Sequence, residues 1–200
     1  AKFLTDAVQA GGKLPVRVDD LGVDYLALSA HKFHGPKGVG VLYVRRGAPF
    51  PPLLVGGGQE TGRRSGTENV AGIAGLAAAL DLAVRGLDAY RRAMLDLTGR
   101  IFAGLKARFP DLVVNGSLEH RLPNTLNLGF PGVRGDRLMI ALDLEGISVS
   151  TGAACHSGSI RASHVLLALG RTPDDANGSL RISLSRYNTA DEVERFLQVL

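Results

Sequence analysis

The stretch Ser29-Ala30-His31-Lys32-Phe33-His34-Gly35-Pro36-Lys37-Gly38 lies between two short apolar runs, Tyr25-Leu-Ala-Leu28 and Val39-Gly-Val-Leu-Tyr-Val44. Short apolar runs punctuated by small residues, Gly and Pro read as two buried strands with a turn between them. The turn then carries a hydroxyl, an imidazole and an amine at a strand end, where open α/β sheets place their ligands. Burial lowers the pKa of a lysine, and an unprotonated amine can condense with an aldehyde. The plain alternative is a solvated turn holding two lysines and two histidines. His31 and His34 also have the spacing of metal ligands on a helix. Here they flank a strand end and no further ligand cluster follows, so no metal site is expected.

Upstream, Phe3-Leu4-Thr5 leads into Asp6-Ala7-Val8-Gln9 and then Gly11-Gly12, a strand that ends in polar groups at a turn. Ala1 to Thr5 reads as strand from its first residue, with no initiator methionine, which sets the expectation of a fragment whose beginning is missing. Val16 and Val18 alternate with Arg17 and Asp19, giving a short extended piece. Downstream, Pro49-Phe50-Pro51-Pro52 stiffens the exit from the second strand. Gly56 to Thr67 is a glycine-rich polar loop with two guanidiniums. Its freed backbone N–H groups suit an anion such as phosphate, and a flexible surface loop is the competing reading.

Composition narrows the class. The chain has 200 residues, 45% apolar and 21% charged, enough to bury a core and too apolar for a disordered segment. Its 23 basic residues exceed its 19 acidic ones by four and are scattered, so no nucleic-acid partner is expected. No apolar stretch reaches membrane-spanning length and no signal peptide opens the chain, so no membrane association is expected. A single cysteine cannot close an internal disulfide, which fits a reducing, cytoplasmic compartment.

From Glu68 the pattern turns helical, with Val70, Ile73, Ala74, Ala77, Leu80 and Val84 at helical spacing. No charge falls between Asn69 and Leu80, so this helix is expected to be buried on most sides, by a sheet or by a second subunit. Tyr90, Met94, Leu97, Ile101 and Leu105 then form the stripe of an amphipathic helix that Pro110 stops. The rest is a series of short units. Leu112–Val114, Thr125–Phe130, Ile147–Ser150 and Leu180–Ser185 read as strands, Leu138–Leu144 and Val165–Leu169 as short helices, and Thr189-Ala190-Asp191-Glu192 as a capping box. The fold class is therefore α/β, with a mostly parallel sheet domain over residues 1–95, including the connecting helix, and a smaller α+β domain over residues 96–200.

Cys155 sits in Thr151-Gly-Ala-Ala-Cys155-His-Ser-Gly-Ser159, with no large apolar neighbour to bury it. An accessible thiol in such a loop can act as a nucleophile. Asp6, Lys32 and Cys155 each follow a predicted strand, and a carboxylate, a lysine and a phosphate cradle are the parts of a pyridoxal phosphate site.

Asp6-x-x-Gln9, Ser29-Ala-His31-Lys32 with Gly35-Pro36-Lys37-Gly38, Arg64-Ser65-Gly66-Thr67 and Ser150-Thr-Gly-Ala-Ala-Cys155 together resemble the cysteine desulfurases. These are class V aminotransferases among the fold-type I pyridoxal-phosphate enzymes. The resemblance covers essentially the whole chain, in the family's order, and the small-residue cysteine loop is similar to the group I branch that serves iron–sulfur cluster assembly. It implies the C-terminal part of a pyridoxal-phosphate-binding large domain followed by a smaller domain. It further implies that Lys32 holds pyridoxal 5'-phosphate and moves protons, that Asp6 pairs with the ring nitrogen, and that Gln9 bonds the phenolic oxygen. Ser29 and His31 would hold the phosphate, and Thr67 would reach the phosphate of the other subunit's cofactor, making a homodimer. Arg181 would clamp the substrate carboxylate. Cys155 would take sulfur from L-cysteine, leaving L-alanine, and pass it to an acceptor such as an iron–sulfur scaffold protein. Leu4 departs from a histidine common in the family. The family's ring-stacking residue, a phosphate threonine and a ring asparagine belong to an upstream half not among these 200 residues. The competing readings are a selenocysteine lyase or other class V enzyme, and a non-catalytic fragment or scaffold of the same fold.

Overall fold

The computed structural model describes residues 1–152 and 162–200. They form two compact units, Ala1–Ala89 and Tyr90–Leu200.

In the first unit, β1 (Leu4–Asp6) pairs parallel with β2 (Tyr25–Ser29), and β2 pairs antiparallel with β3 (Gly40–Val44), in the order β1-β2-β3. The strands read as buried are less covered than expected: Leu26 is the buried residue of β2, and Val41 and Leu42 of β3 are exposed. Strand β1 starts at Leu4, short of the expected Ala1. The extended piece expected at Val16–Asp19 is instead a helical turn, α1 (Val18–Leu21). Asp19 and Asp20 suit a helix N-terminus, Gly22 ends the turn at φ 63°, and Arg45 donates to Val18 O at 3.0 Å. These local contacts outweigh a two-residue alternation.

After the short turn α2 (Gln59–Gly62), α3 (Val70–Arg85) starts from Asn69, whose side chain accepts a bond from Gly72 N–H at 3.0 Å. Leu76 and Ala83 pack on Ala30 and Phe33, with Leu28, Val39, Ala79 and Leu80 around them. The sheet of this chain covers the helix on one side only: Val70, Leu82 and Val84 are 71%, 61% and 58% exposed within the chain. A small sheet offers one apolar face, which covers only one side of a helix that is apolar nearly all round.

The second unit begins within α4 (Leu87–Arg108). Its sheet has the order β4-β5-β7-β6, with β4 (Val113–Val114), β5 (Thr125–Gly129), β6 (Ser150–Thr151) and β7 (Ser179–Ser183), every pair antiparallel. Leu126, Leu128, Leu180 and Ile182 pack against Met94, Leu97, Ile101 and Leu105 of α4, with Leu142 of α5 (Gly135–Leu144) and Val193 and Phe196 of α8 (Ala190–Val199). Each such side chain contributes about 1.5–3 kcal/mol by leaving water. Thr189 and Glu192 form the expected capping box of α8. Strand β6 is shorter than the expected Ile147–Ser150. Two short helices, α6 (His164–Ala168) and α7 (Pro173–Asn177), follow the undescribed residues. Thr98, fully buried on α4, lies 2.8 Å from Met94 O and 3.1 Å from Pro123 O and accepts from Arg121 Nη2 at 3.0 Å. That guanidinium also reaches Pro123 O and Thr125 O, which seats the chain entering β5.

Candidate active site

Because β1 and β2 run parallel, with Asp6 opposite Ala27, both strands deliver their C-terminal ends to one edge of the sheet. Asp6 closes β1 and Ser29 closes β2. Asp6 Oδ1 accepts from Val8 N–H at 2.9 Å, a short polar turn that reverses the chain after the strand. The turn then folds down onto the next segment, and Gly12 permits this. Its φ is +70°, and a Cβ there would stand 2.9 Å from Ala83 Cβ and 3.1 Å from Phe33 Cβ.

Ala30–Phe33 form a single 3₁₀ turn. Three residues per turn put Ala30 and Phe33 on one side, where both are buried. His31 and Lys32 are thereby turned away from the core, His31 exposed and Lys32 half-buried. Ser29 Oγ and His31 Nδ1 are 2.9 Å apart, a hydroxyl–imidazole pair at the mouth of β2. His34 takes a left-handed conformation, φ 67°, and ends the turn, where Gly35 N–H donates to Ala30 O at 2.8 Å. Gln9 is exposed on the neighbouring turn. The structure thus brings Asp6, Gln9, Ser29, His31 and Lys32 to one sheet edge. Thr67 is exposed in the link between α2 and α3.

Arg181 belongs to the second unit, in the middle of β7, opposite Asn127 of β5 and Ser150 of β6. Its Nη2 donates to Ser150 Oγ over a long 3.3 Å. Its Nε is sealed from solvent and has no hydrogen-bond partner among the described residues. A planar fork with an unspent buried donor is suited to a carboxylate. The chain leaves β6 directly beside this residue, and Ser163 Cβ is 3.5 Å from where a Cβ on Gly152 would stand, so residues 152 and 163 are neighbours. Cys155 lies outside the described residues.

Two participants escaped sequence reasoning. Ser150 stands out in the sequence only as part of a motif, yet its hydroxyl accepts from Arg181. Lys13 carries no sequence signature of its own, and its Nζ donates to Gln9 O at 3.0 Å and to Lys32 O at 3.2 Å. Both acceptors are backbone carbonyls, so no pattern of side-chain types announces the contact. Its place just after Gly11-Gly12 is the one signal that could have flagged it.

The donor set at the sheet edge fits pyridoxal phosphate: an amine for an aldehyde, a carboxylate for a pyridinium nitrogen, and a hydroxyl–imidazole pair for phosphate oxygens. The orphaned Nε of Arg181 fits the carboxylate of an amino acid. The chain belongs to the aminotransferase class-V family, whose family model matches residues 1–196. It is 46% identical over 200 residues to cysteine desulfurase IscS of Clostridium botulinum, a match covering 99% of this chain and 50% of that protein. A solved NifS-like protein matches with a TM-score of 0.89 at 45% identity, over 99% of this chain and 51% of that one. The NifS-like protein from Rickettsia africae matches with a TM-score of 0.88 at 34% identity, over 100% of this chain and 52% of its own. The chain spans about half the length of the curated relatives it matches. Its mixed α/β fold is that of half of a NifS-like cysteine desulfurase, of fold-type I.

Proposed function

We propose that this chain carries the lysine turn, the carboxylate clamp and the sulfur-accepting thiol of a cysteine desulfurase that converts L-cysteine to L-alanine. The observation that supports this most is the convergence of Asp6, Ser29, His31 and Lys32 on one edge of a sheet whose fold is that of NifS-like proteins. When bound, pyridoxal phosphate supplies an electron sink for bond cleavage at the substrate. Lys32 Nζ would hold the cofactor through its aldehyde group and, once displaced by the amino group of L-cysteine, would move the proton at Cα. Asp6 would keep the ring nitrogen protonated, and Gln9 would donate to the phenolic oxygen. Ser29 and His31 would hold the phosphate, with Thr67 serving the cofactor phosphate of a second subunit in a homodimer. Arg181 receives the substrate carboxylate and orients the side chain. Cys155 Sγ, as the thiolate, attacks the substrate sulfur. A new S–S bond forms, the Cβ–S bond breaks, and its electron pair stays on Cβ, which is protonated to the methyl of alanine. The persulfide then passes to an acceptor such as an iron–sulfur scaffold protein, in a reducing, cytoplasmic compartment suited to a free thiol.

The test is made in the full-length context with added pyridoxal phosphate and L-cysteine. The protein binds the cofactor with a visible absorption band, Lys32→Ala loses that band, and Cys155→Ala keeps it but transfers no sulfur. A band that survives Lys32→Ala, or sulfur release unaffected by Cys155→Ala, overturns the reading. A protein that takes up no cofactor favours a non-catalytic scaffold.

A further inference from the structure

We propose that Lys13 is a positioning residue: its ammonium joins the carbonyl of Gln9 to the carbonyl of Lys32 and so holds the turn bearing Asp6 and Gln9 against the turn bearing Lys32. The inference rests on the function proposed above. Lys13 Nζ stands 3.0 Å from Gln9 O and 3.2 Å from Lys32 O. The two carbonyls belong to residues to which the proposed function gives the same cofactor, Gln9 its phenolic oxygen and Lys32 its aldehyde. The close approach at Gly12 brings the turns together, but van der Waals contact leaves them free to slide. Two hydrogen bonds from one ammonium fix their relation, because an ammonium has three donors and can serve both acceptors at once.

The charge argues the same way. Burial first, and the positive charge of Lys32 second, lower the pKa of Lys13. An apolar side chain would fill this half-buried space without facing another cation. The presence of an ammonium at an electrostatically unfavourable place is accounted for by the two carbonyls it serves.

The test uses pyridoxal phosphate as the probe. The full chain is treated with it, reduced with borohydride, digested, and the label at Lys32 is compared with that at Lys37, an exposed lysine of the same segment. In the wild type Lys32 is labelled in preference to Lys37. Lys13→Met, of similar length but without donors, lowers the Lys32:Lys37 ratio about tenfold, the scale expected when a reacting group loses its orientation. Lys13→Arg, which keeps the charge and can reach both carbonyls, restores the ratio to within about twofold. Thermal unfolding of each variant is followed alongside. A Lys13→Met protein that melts lower yet keeps the wild-type ratio overturns the proposal and leaves Lys13 as packing alone. A wild type that labels Lys32 and Lys37 equally overturns the proposed function on which it rests. If Lys13→Met does not fold, Lys13→Gln carries the same comparison, its amide able to serve only one carbonyl well.

Discussion

Replacing Arg181 with Met should raise stability and, on the proposed role of Arg181, lower activity together. The buried Nε donor of Arg181 has no partner among the described residues, and its Nη2 bond to Ser150 is long at 3.3 Å. An unsatisfied buried donor costs roughly 1–3 kcal/mol, while a bond of that length returns about 0.5 kcal/mol. Met has a similar apolar stem and no donor, so Arg181→Met should stabilise the second unit by about 1 kcal/mol, or roughly 4 °C in Tm for a domain of this size. The substrate loses its carboxylate clamp in the same step. Two charge-assisted bonds at about 1.5 kcal/mol each make roughly 3 kcal/mol, a fall of about 150-fold in kcat/KM for L-cysteine. Circular-dichroism melts read the first effect, and alanine release in the full-length context reads the second. A lower Tm for Arg181→Met would refute the claim that the guanidinium is held short of partners. Unchanged kcat/KM would refute its role as the clamp.

Four further outcomes follow from the packing and the carboxylate hydrogen bonds. Thr98→Val keeps shape but strands Arg121 Nη2, so urea titration should show a loss of about 1–2 kcal/mol, with Thr98→Ser close to wild type. Gly12→Ala should destabilise the first unit by about 2 kcal/mol, from the positive φ and the contacts with Ala83 and Phe33. Gly22→Ala, at φ +63° with open space around it, should cost about half of that in the same melts. The Glu192 carboxyl is held below its usual 4.5 by the Thr189 N–H and then Asn188, and that of Asp24 below 3.8 by the Phe3 N–H and then Lys2. A depressed folded-state pKa adds stability that is complete above the unfolded value and is lost as pH falls through the folded one. Tm should therefore hold down to about pH 4.5 and drop below it, and Glu192→Gln should remove part of that drop.

The parts legible in the sequence were those written locally. The lysine turn showed itself through two apolar runs and a Gly-Pro break, β5 and β7 through period-two alternation, and α8 through its capping box. What escaped depended on contacts distant in the chain. The α1 turn is held by Arg45, the residue after β3, and α3 meets the sheet of this chain along one side only. Lys13 binds two carbonyls, and the unspent donor of Arg181 follows from its place among strands that meet only in the fold. Strand β6 came out shorter because only Ser150 and Thr151 find partners on β7.

The two units are unequally provided with core. Among the described residues, the second closes thirteen buried side chains into one cluster, whereas the first divides seven between a cluster of four around Phe33 and one of three around Val23. A ligand bound at the strand ends of the first unit engages strands that share one of these two small clusters. By linkage its binding free energy becomes part of the folding free energy of the strands themselves, growing as RT ln(1 + [L]/Kd). Any ligand held at those strand ends would therefore show itself as a rise in melting temperature that grows with its concentration.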